Sequence, residues 1–306
     1  MKHQNSNTPY PHQVGAFQSL KSIALTCFDP SLQQLPRRPR TNTLIVGPSG
    51  SGKSKLVSIV GEEIGVDVLH ITVSEWMPLG ASERGAQHTW KTIVEFLLRR
   101  RSAKGAILFV DEIDKIGSPT PWDTHVRNEL FRLLDLQLPP GLVMETECDS
   151  TDSEIPSDWR DEAALMLATR TLIVGAGAFQ NAWESKQRTI GFRDSTTESS
   201  VIDAAVLRST LPTELVNRFS SEIIVLPPLD IESYEQMAEA ALEQLPQWLH
   251  NTFRAVSALR IRDAVRRQSG ARFVEDVLLE SLLAEREAKA IPAFKPTAAS
   301  ARRITP

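Results

Sequence analysis

An α/β fold, a parallel sheet flanked by helices and followed by a small all-helical domain, is predicted by three observations. Short apolar runs alternate with helical segments between residues 43 and 226. Two of those runs end directly in chemically loaded residues. After Pro227 and Pro228 the pattern is helical only. At 306 residues and 34.0 kDa the chain has room for one large domain and a smaller one.

The elements follow in order. Residues 1–9 are polar, and Val14, Phe17, Leu20, Ile23, Ala24 and Cys27 recur at helical spacing. Pro30 to Pro39 reads as a linker of turn formers and basic residues. The runs TLIV at 43–46, DVLHITV at 67–73, AILFVD at 106–111, TLIV at 171–174 and EIIVL at 222–226 predict five strands buried on both faces. Two polar stretches, 139–161 and 188–200, predict mobile loops that project from the body. The large α/β domain is thus expected over 10–228, a small helical domain over 229–290 and a flexible tail over 291–306.

Composition bounds the function. Hydrophobic residues make up 41% and charged residues 24%, as in ordinary globular proteins. The apolar runs are too short to span a bilayer, which takes roughly 20 residues. The N-terminal residues lack the apolar core of a secretory signal. Two cysteines, Cys27 and Cys148, make neither a disulfide framework nor a metal knuckle. A cytoplasmic setting is expected. The net charge of −4 gives no global basic footprint, so a nucleic-acid partner would need a local patch. Arg99–Arg101 and Arg266–Arg267 are the candidates, and such runs are usually solvated helix faces.

Gly47, Pro48, Ser49, Gly50, Ser51, Gly52, Lys53 and Ser54 spell G-x-x-x-x-G-K-S after a strand and before a helical run that begins at Lys55. The glycines allow backbone N–H groups to face phosphate, and the helix N-terminus adds its dipole. Lys53 is suited to β/γ-phosphate oxygens and Ser54 to Mg²⁺. AILFVD ends in adjacent acids: Asp111 suits the Mg²⁺ shell, and Glu112 suits orienting an attacking water. The cofactors expected are ATP and Mg²⁺.

The sequence resembles the AAA+ superfamily, and within it the Clp/HSP100 clade, closest to ClpX-like unfoldases. The resemblance runs from about Tyr10 to Leu283 through GPSGSGKS, LFVDEIDKIGS at 108–118, TLIVGAGAF at 171–179, LPTELVNRF at 211–219 and SGARFVEDVL at 269–278. It implies a P-loop AAA+ sheet with a small all-α lid, and a homo-oligomeric, hexamer-like ring that hydrolyses ATP to remodel a protein client. It also implies that Arg218 is an arginine finger reaching a neighbouring subunit's nucleotide, and that Arg272 is a lid arginine contacting nucleotide in its own subunit. Tyr10, Pro11, His12 and Gln13 occupy the place of an adenine-contacting segment. His12 reads equally well as an exposed helix-start residue.

The chain also departs from that pattern. Where ClpX-like proteins carry an aromatic-containing gripping loop, this sequence has SEWMPLGAS, with Pro78 in the aromatic slot and Trp76, Met77, Leu79 and Gly80 around it. Trp76 reads equally as a packing residue. No sensor residue is evident at Gly175, Ala176 and Gly177, and Asn181 lies several residues on. Ile190, Gly191 and Phe192 match, over three residues only, the tripeptide through which ClpX-like proteins dock a peptidase, and an apolar tripeptide in a polar loop reads equally as packing back on the domain or marking another partner. Besides the ring motor, an ATP-switched assembly module, a DNA-associated loader and a small-molecule kinase remain readings of the chain. The predicted pore loops lack basic residues, which disfavours the loader.

Overall fold

The computed structural model describes residues 8–79, 88–117, 120–144, 157–180, 207, 211–220 and 222–290. The chain divides into two compact units, Met1–Leu229 and Asp230–Pro306.

In the first unit, β1 (Thr43–Val46), β2 (Asp67–Thr72), β3 (Ala106–Asp111), β4 (Thr171–Gly177) and β5 (Ile223–Val225) form one sheet in the order β2-β3-β4-β1-β5. Every pairing is parallel. Parallel neighbours require crossovers, and helices supply them. Side chains alternate faces along each strand. Leu44, Val46, Leu108, Val110 and Ile173 join one core, with α3 (Thr89–Arg99), α4 (Pro121–Leu134) and α5 (Trp159–Arg170). Ile45, Ile107, Phe109, Leu172 and Val174 join the other, under α1 (Val14–Cys27) and α2 (Lys53–Ile64). The result is a three-layer sandwich, as the continuous apolar runs predict.

Local chemistry sets the helix ends. Thr120 caps α4 by accepting from the Asp123 amide, with Pro121 at the first helical position, where its missing N–H costs nothing. Gly65, in the left-handed region at φ 71°, ends α2. A short α6 (Thr213–Val216) precedes β5.

One expectation needs correction. The stretch 139–161 is not wholly a loop. Leu142 and Met144 are buried in the first core, and Arg160 donates to the carbonyls of Pro139 and Leu142 from the first turn of α5. Its acidic run hid two apolar anchors that carry no periodicity. The linker at 30–39 opens with a 3-10 turn, Pro30–Gln34, capped by Asp29. The second loop, 188–200, and the tail 291–306 lie outside the described residues.

The second unit packs α7 (Ile231–Leu242), α8 (His250–Arg267) and α9 (Arg272–Ala290) around Tyr234, Phe253, Phe273 and Val277. The Tyr234 hydroxyl accepts from the Gly270 amide at 2.9 Å, and its ring meets Phe273 edge-on at 5.0 Å. That bond satisfies a buried phenol and fixes the turn into α9. No helix among the described residues is long and apolar enough to cross a membrane.

Candidate functional site

Ligands in open parallel sheets sit beyond the carboxyl ends of the strands. There the loop Gly47–Gly52 joins β1 to α2, and β3 ends at Asp111. Gly50 and Gly52 have φ of 78° and 83°, values that L side chains rarely adopt. The helix starts at Lys53, two residues earlier than the sequence pattern indicates, so Lys53, Ser54 and Lys55 form its first turn. Their amides belong to the set that a helix N-terminus leaves without intrahelical partners.

Lys53 is 8% exposed, and its ammonium donates to the carbonyls of Gly47 at 2.8 Å and Pro48 at 2.9 Å. Burial lowers its pKa, with Asp111 and Asp114 opposing the shift. A buried cation held mainly by neutral carbonyls is poised to gain from an arriving polyanion.

Ser54 Oγ donates to Asp111 Oδ2 at 3.1 Å. Two hard oxygen ligands from different elements therefore stand side by side, a donor set that suits Mg²⁺ sharing phosphate oxygens. The next residue, Glu112, is a non-glycine residue at φ 61°, a conformation that concentrates at functional sites because the surroundings must hold it. One oxygen accepts from Ser74 Oγ at 2.6 Å and the other from Lys115 Nζ at 2.7 Å. The lysine bond, then the serine bond, hold its pKa below the usual carboxylate range, so Glu112 is ionised at neutral pH. Asp114 faces elsewhere and accepts from the Phe179 amide at 3.2 Å. Gly177 makes this possible, since a Cβ there would stand 2.7 Å from Asp114 Oδ1.

The N-terminal segment lies on the phosphate loop. Pro11, His12 and Gln13 form a 3-10 turn, and buried Gln13 donates to the carbonyl of Ser51 at 2.9 Å and of Gly52 at 3.3 Å. His12 Nε2 stands 3.4 Å from the same Ser51 carbonyl, and burial lowers the imidazole pKa. His12 is therefore not an exposed helix-start residue. A Cβ at Gly52 would meet Gln13 Nε2 at 2.4 Å. Gly52→Ala is accordingly expected to lower the melting temperature of the nucleotide-free protein by about 4 °C, from roughly 1–2 kcal/mol of left-handed strain. Adding Gln13→Ala should recover only the steric part. Differential scanning fluorimetry of the three variants checks this.

Arg218 is tied down within its own chain. Its Nε donates to Asp135 at 2.9 Å, a second nitrogen donates to the Glu214 carbonyl, and the guanidinium lies over Phe131 at 4.4 Å. Arg272 is exposed at the start of α9 in the second unit. Trp76 is the reverse of a gripping residue: it is 1% exposed, packs edge-on to Trp90, and donates from its indole to Glu129 at 2.8 Å. Pro78 is buried as well, and among residues 76–79 it is Met77 that is exposed, at 38%. Gly80, Asn181 and the tripeptide Ile190, Gly191 and Phe192 lie outside the described residues. The basic run at Arg99–Arg101 is engaged by Glu95, Asp67 and Glu162. Arg266 pairs with Asp263.

Three residues at or near the site escaped sequence reasoning as site residues, Ser74, Lys115 and Glu129, and so did Asp135, the partner of Arg218. Lys115 follows Glu112 by three, a helical spacing that was visible. Glu129 was visible as an acid inside the buried stripe Val126, Leu130, Leu133. Nothing in the sequence pairs Ser74 with Glu112 or Asp135 with Arg218.

Residues 43–155 match the family described as ATPase family associated with various cellular activities (AAA). The peroxisomal ATPase PEX1 of Cricetulus griseus is 33% identical over 108 residues, 33% of this chain and 8% of that protein. PEX1 of Saccharomyces cerevisiae is 30% identical over 135 residues, 40% of this chain and 12% of that protein. The ATP-dependent zinc metalloprotease FtsH of Thermotoga maritima is 29% identical over 103 residues, 33% of this chain and 16% of that protein. The chain thus spans only a small part of the relatives it matches. With the phosphate loop, the Ser54–Asp111 pair and Glu112 assembled at the ends of β1 and β3, the parallel five-stranded sheet flanked by helices has an AAA-type α/β architecture, and residues 43–155 within it are what match the AAA family.

Proposed function

We propose that this chain is an ATP-hydrolysing motor that assembles as a ring of its own copies and remodels a protein client. The observation that carries the reading is the Ser54–Asp111 contact at 3.1 Å with Glu112 one residue on. Phosphoryl transfer needs positioning and charge stabilisation rather than covalent chemistry from the protein. These groups supply both: Lys53 and the α2 amides for the phosphates, Ser54 and Asp111 for Mg²⁺, and ionised Glu112 for the attacking water. Gln13 and His12 brace the loop and border the place of the nucleotide base. The similarity to PEX1 and FtsH supports a motor of the general AAA kind. The finer ClpX-like assignment rests on the sequence motifs around Arg218 and Arg272, and peptidase docking through Ile190, Gly191 and Phe192 rests on that tripeptide.

One observation favours a second reading. Trp76 is consumed by the core, so this chain lacks an aromatic grip among the described residues of that loop. An ATP-switched assembly module, in which binding builds the oligomer and slow turnover resets it, needs no such grip.

The test is steady-state ATPase activity against protein concentration, with light scattering on Glu112→Gln with and without Mg-ATP. The expected result is a cooperative rise in specific activity for the unmodified chain and a ring-sized, ATP-dependent species for Glu112→Gln. Concentration-independent turnover by a monomer would remove the ring. Assembly with slow turnover that unfolded protein does not stimulate would favour the switch.

A further inference from the structure

Glu129 is an acid where the amphipathic pattern of α4 calls for an apolar residue. Its side chain is almost fully buried, and both oxygens are occupied. Oε2 accepts from the Trp76 indole at 2.8 Å, and Oε1 accepts from the Leu79 amide at 2.6 Å. A buried carboxylate is costly unless its lone pairs are satisfied, and here both donors come from one short segment. That segment is fixed twice more: the Met77 amide donates to Thr89 Oγ1 at 2.8 Å, and the Thr89 amide donates to the Met77 carbonyl at 3.0 Å. Immediately before it runs the 3-10 turn Val73–Glu75, closed by the Trp76 amide on the Val73 carbonyl at 3.1 Å. This turn carries Ser74, whose hydroxyl holds Glu112 at 2.6 Å.

We propose that Glu129 is a positioning residue for Glu112, acting through Trp76 and the turn that carries Ser74. The route is short and continuous: α4 holds Trp76 and Leu79, these hold the end of the turn, and the turn aims one hydroxyl at one oxygen of Glu112. The other oxygen of Glu112 is held by Lys115, from its own turn, and that bond does not run through Glu129. The two restraints on Glu112 are therefore separable. This inference rests on the proposed ATPase reading for its catalytic consequence, whereas the anchoring by Glu129 does not.

The substitution to use is Glu129→Gln, which keeps the shape and one acceptor but turns an N–H toward the second donor. The first measurement is amide hydrogen exchange without nucleotide, comparing Trp76 and Leu79 with Val110 in β3. Protection at Trp76 and Leu79 is expected to fall about tenfold or more relative to Val110. Equal loss at all three, or no loss, overturns the anchor.

The second measurement is a pair of kinetic cycles. Glu129→Gln is expected to lower kcat about tenfold with KM for ATP within about twofold, since misplacement of a reacting group acts on the chemical step. Combined with Ser74→Ala the loss should be no greater than that of either change alone, because both cut the same route. Combined with Lys115→Ala the two effects should multiply. Multiplication with Ser74→Ala, or an unchanged kcat, overturns the relay. If the unmodified chain shows no turnover, the proposed function and the relay fall together, while the exchange comparison still decides the anchor.

Discussion

Lys53→Ala is expected to weaken Mg-ATP binding by about a hundredfold or more and to erase the rise in melting temperature that saturating Mg-ATP gives the unmodified protein. The ammonium sits against the Gly47 and Pro48 carbonyls with its charge poorly compensated. Burial is the largest influence on it and lowers its pKa. A group whose charged form is disfavoured by burial stands to gain most when phosphate arrives. A charge-assisted hydrogen bond contributes roughly 1.5–3 kcal/mol, and each 1.4 kcal/mol is tenfold in affinity. Two phosphate oxygens lost together make the hundredfold figure. The same argument predicts little harm to the empty protein, because the substitution also removes a buried charge. Lys53→Met, which keeps the apolar stem, should melt within about 2 °C of the unmodified chain. Scanning fluorimetry and calorimetric titration with ATP read both effects. A variant that still binds ATP with near-normal affinity would show that the phosphates do not sit on this loop.

The sheet was legible because its inner strands, β1, β3 and β4, are buried on both faces and form continuous apolar runs that local sequence displays, whereas β2, at the edge, is exposed at Asp67 and His70. The phosphate loop was legible because backbone geometry demands glycine at fixed positions and the chemistry demands Lys and Ser after it. The extent of β4 to Gly177 was less so. The apolar run ends at Val174, but the strand continues through Gly175 and Gly177, where Ile113, Phe219 and Asp114 leave no room for a Cβ. Trp76 divided evenly between grip and core, since one aromatic beside Met77 and Pro78 carries no period. Only the third dimension, which puts Glu129 beneath the indole, decides it. The same holds for Ser74, which faces Glu112 across 38 residues of sequence, and for Asp135, which faces Arg218 across 83. Pairs formed by the fold leave no local trace, whereas residues set by backbone geometry do.

Arg218→Ala is expected to lower kcat by about a thousandfold, in the range of arginine fingers, while leaving ATP affinity within about threefold. Two readings of this residue compete on the page. In the structure its guanidinium binds Asp135 and covers Phe131, so a purely structural role would suffice to explain its presence. That ion pair is partly exposed on both sides, and such pairs contribute only about 0–1 kcal/mol. A contact this weak can be exchanged for a neighbour's phosphate at little cost, which is what a residue acting across a subunit boundary requires. Asp135→Ala separates the readings. It removes the same ion pair but keeps the guanidinium. If Arg218 serves only its own subunit, Asp135→Ala and Arg218→Ala should have similar, small effects on turnover and on melting temperature. If it acts on the next subunit's nucleotide, Asp135→Ala should retain most of the activity, and only Arg218→Ala should abolish it. Mixing then gives the decisive readout. An Arg218→Ala subunit has an intact nucleotide site, and a Lys53→Ala subunit has an intact arginine. Two inactive preparations should therefore regain part of the turnover when combined, and two chains that act alone should regain none.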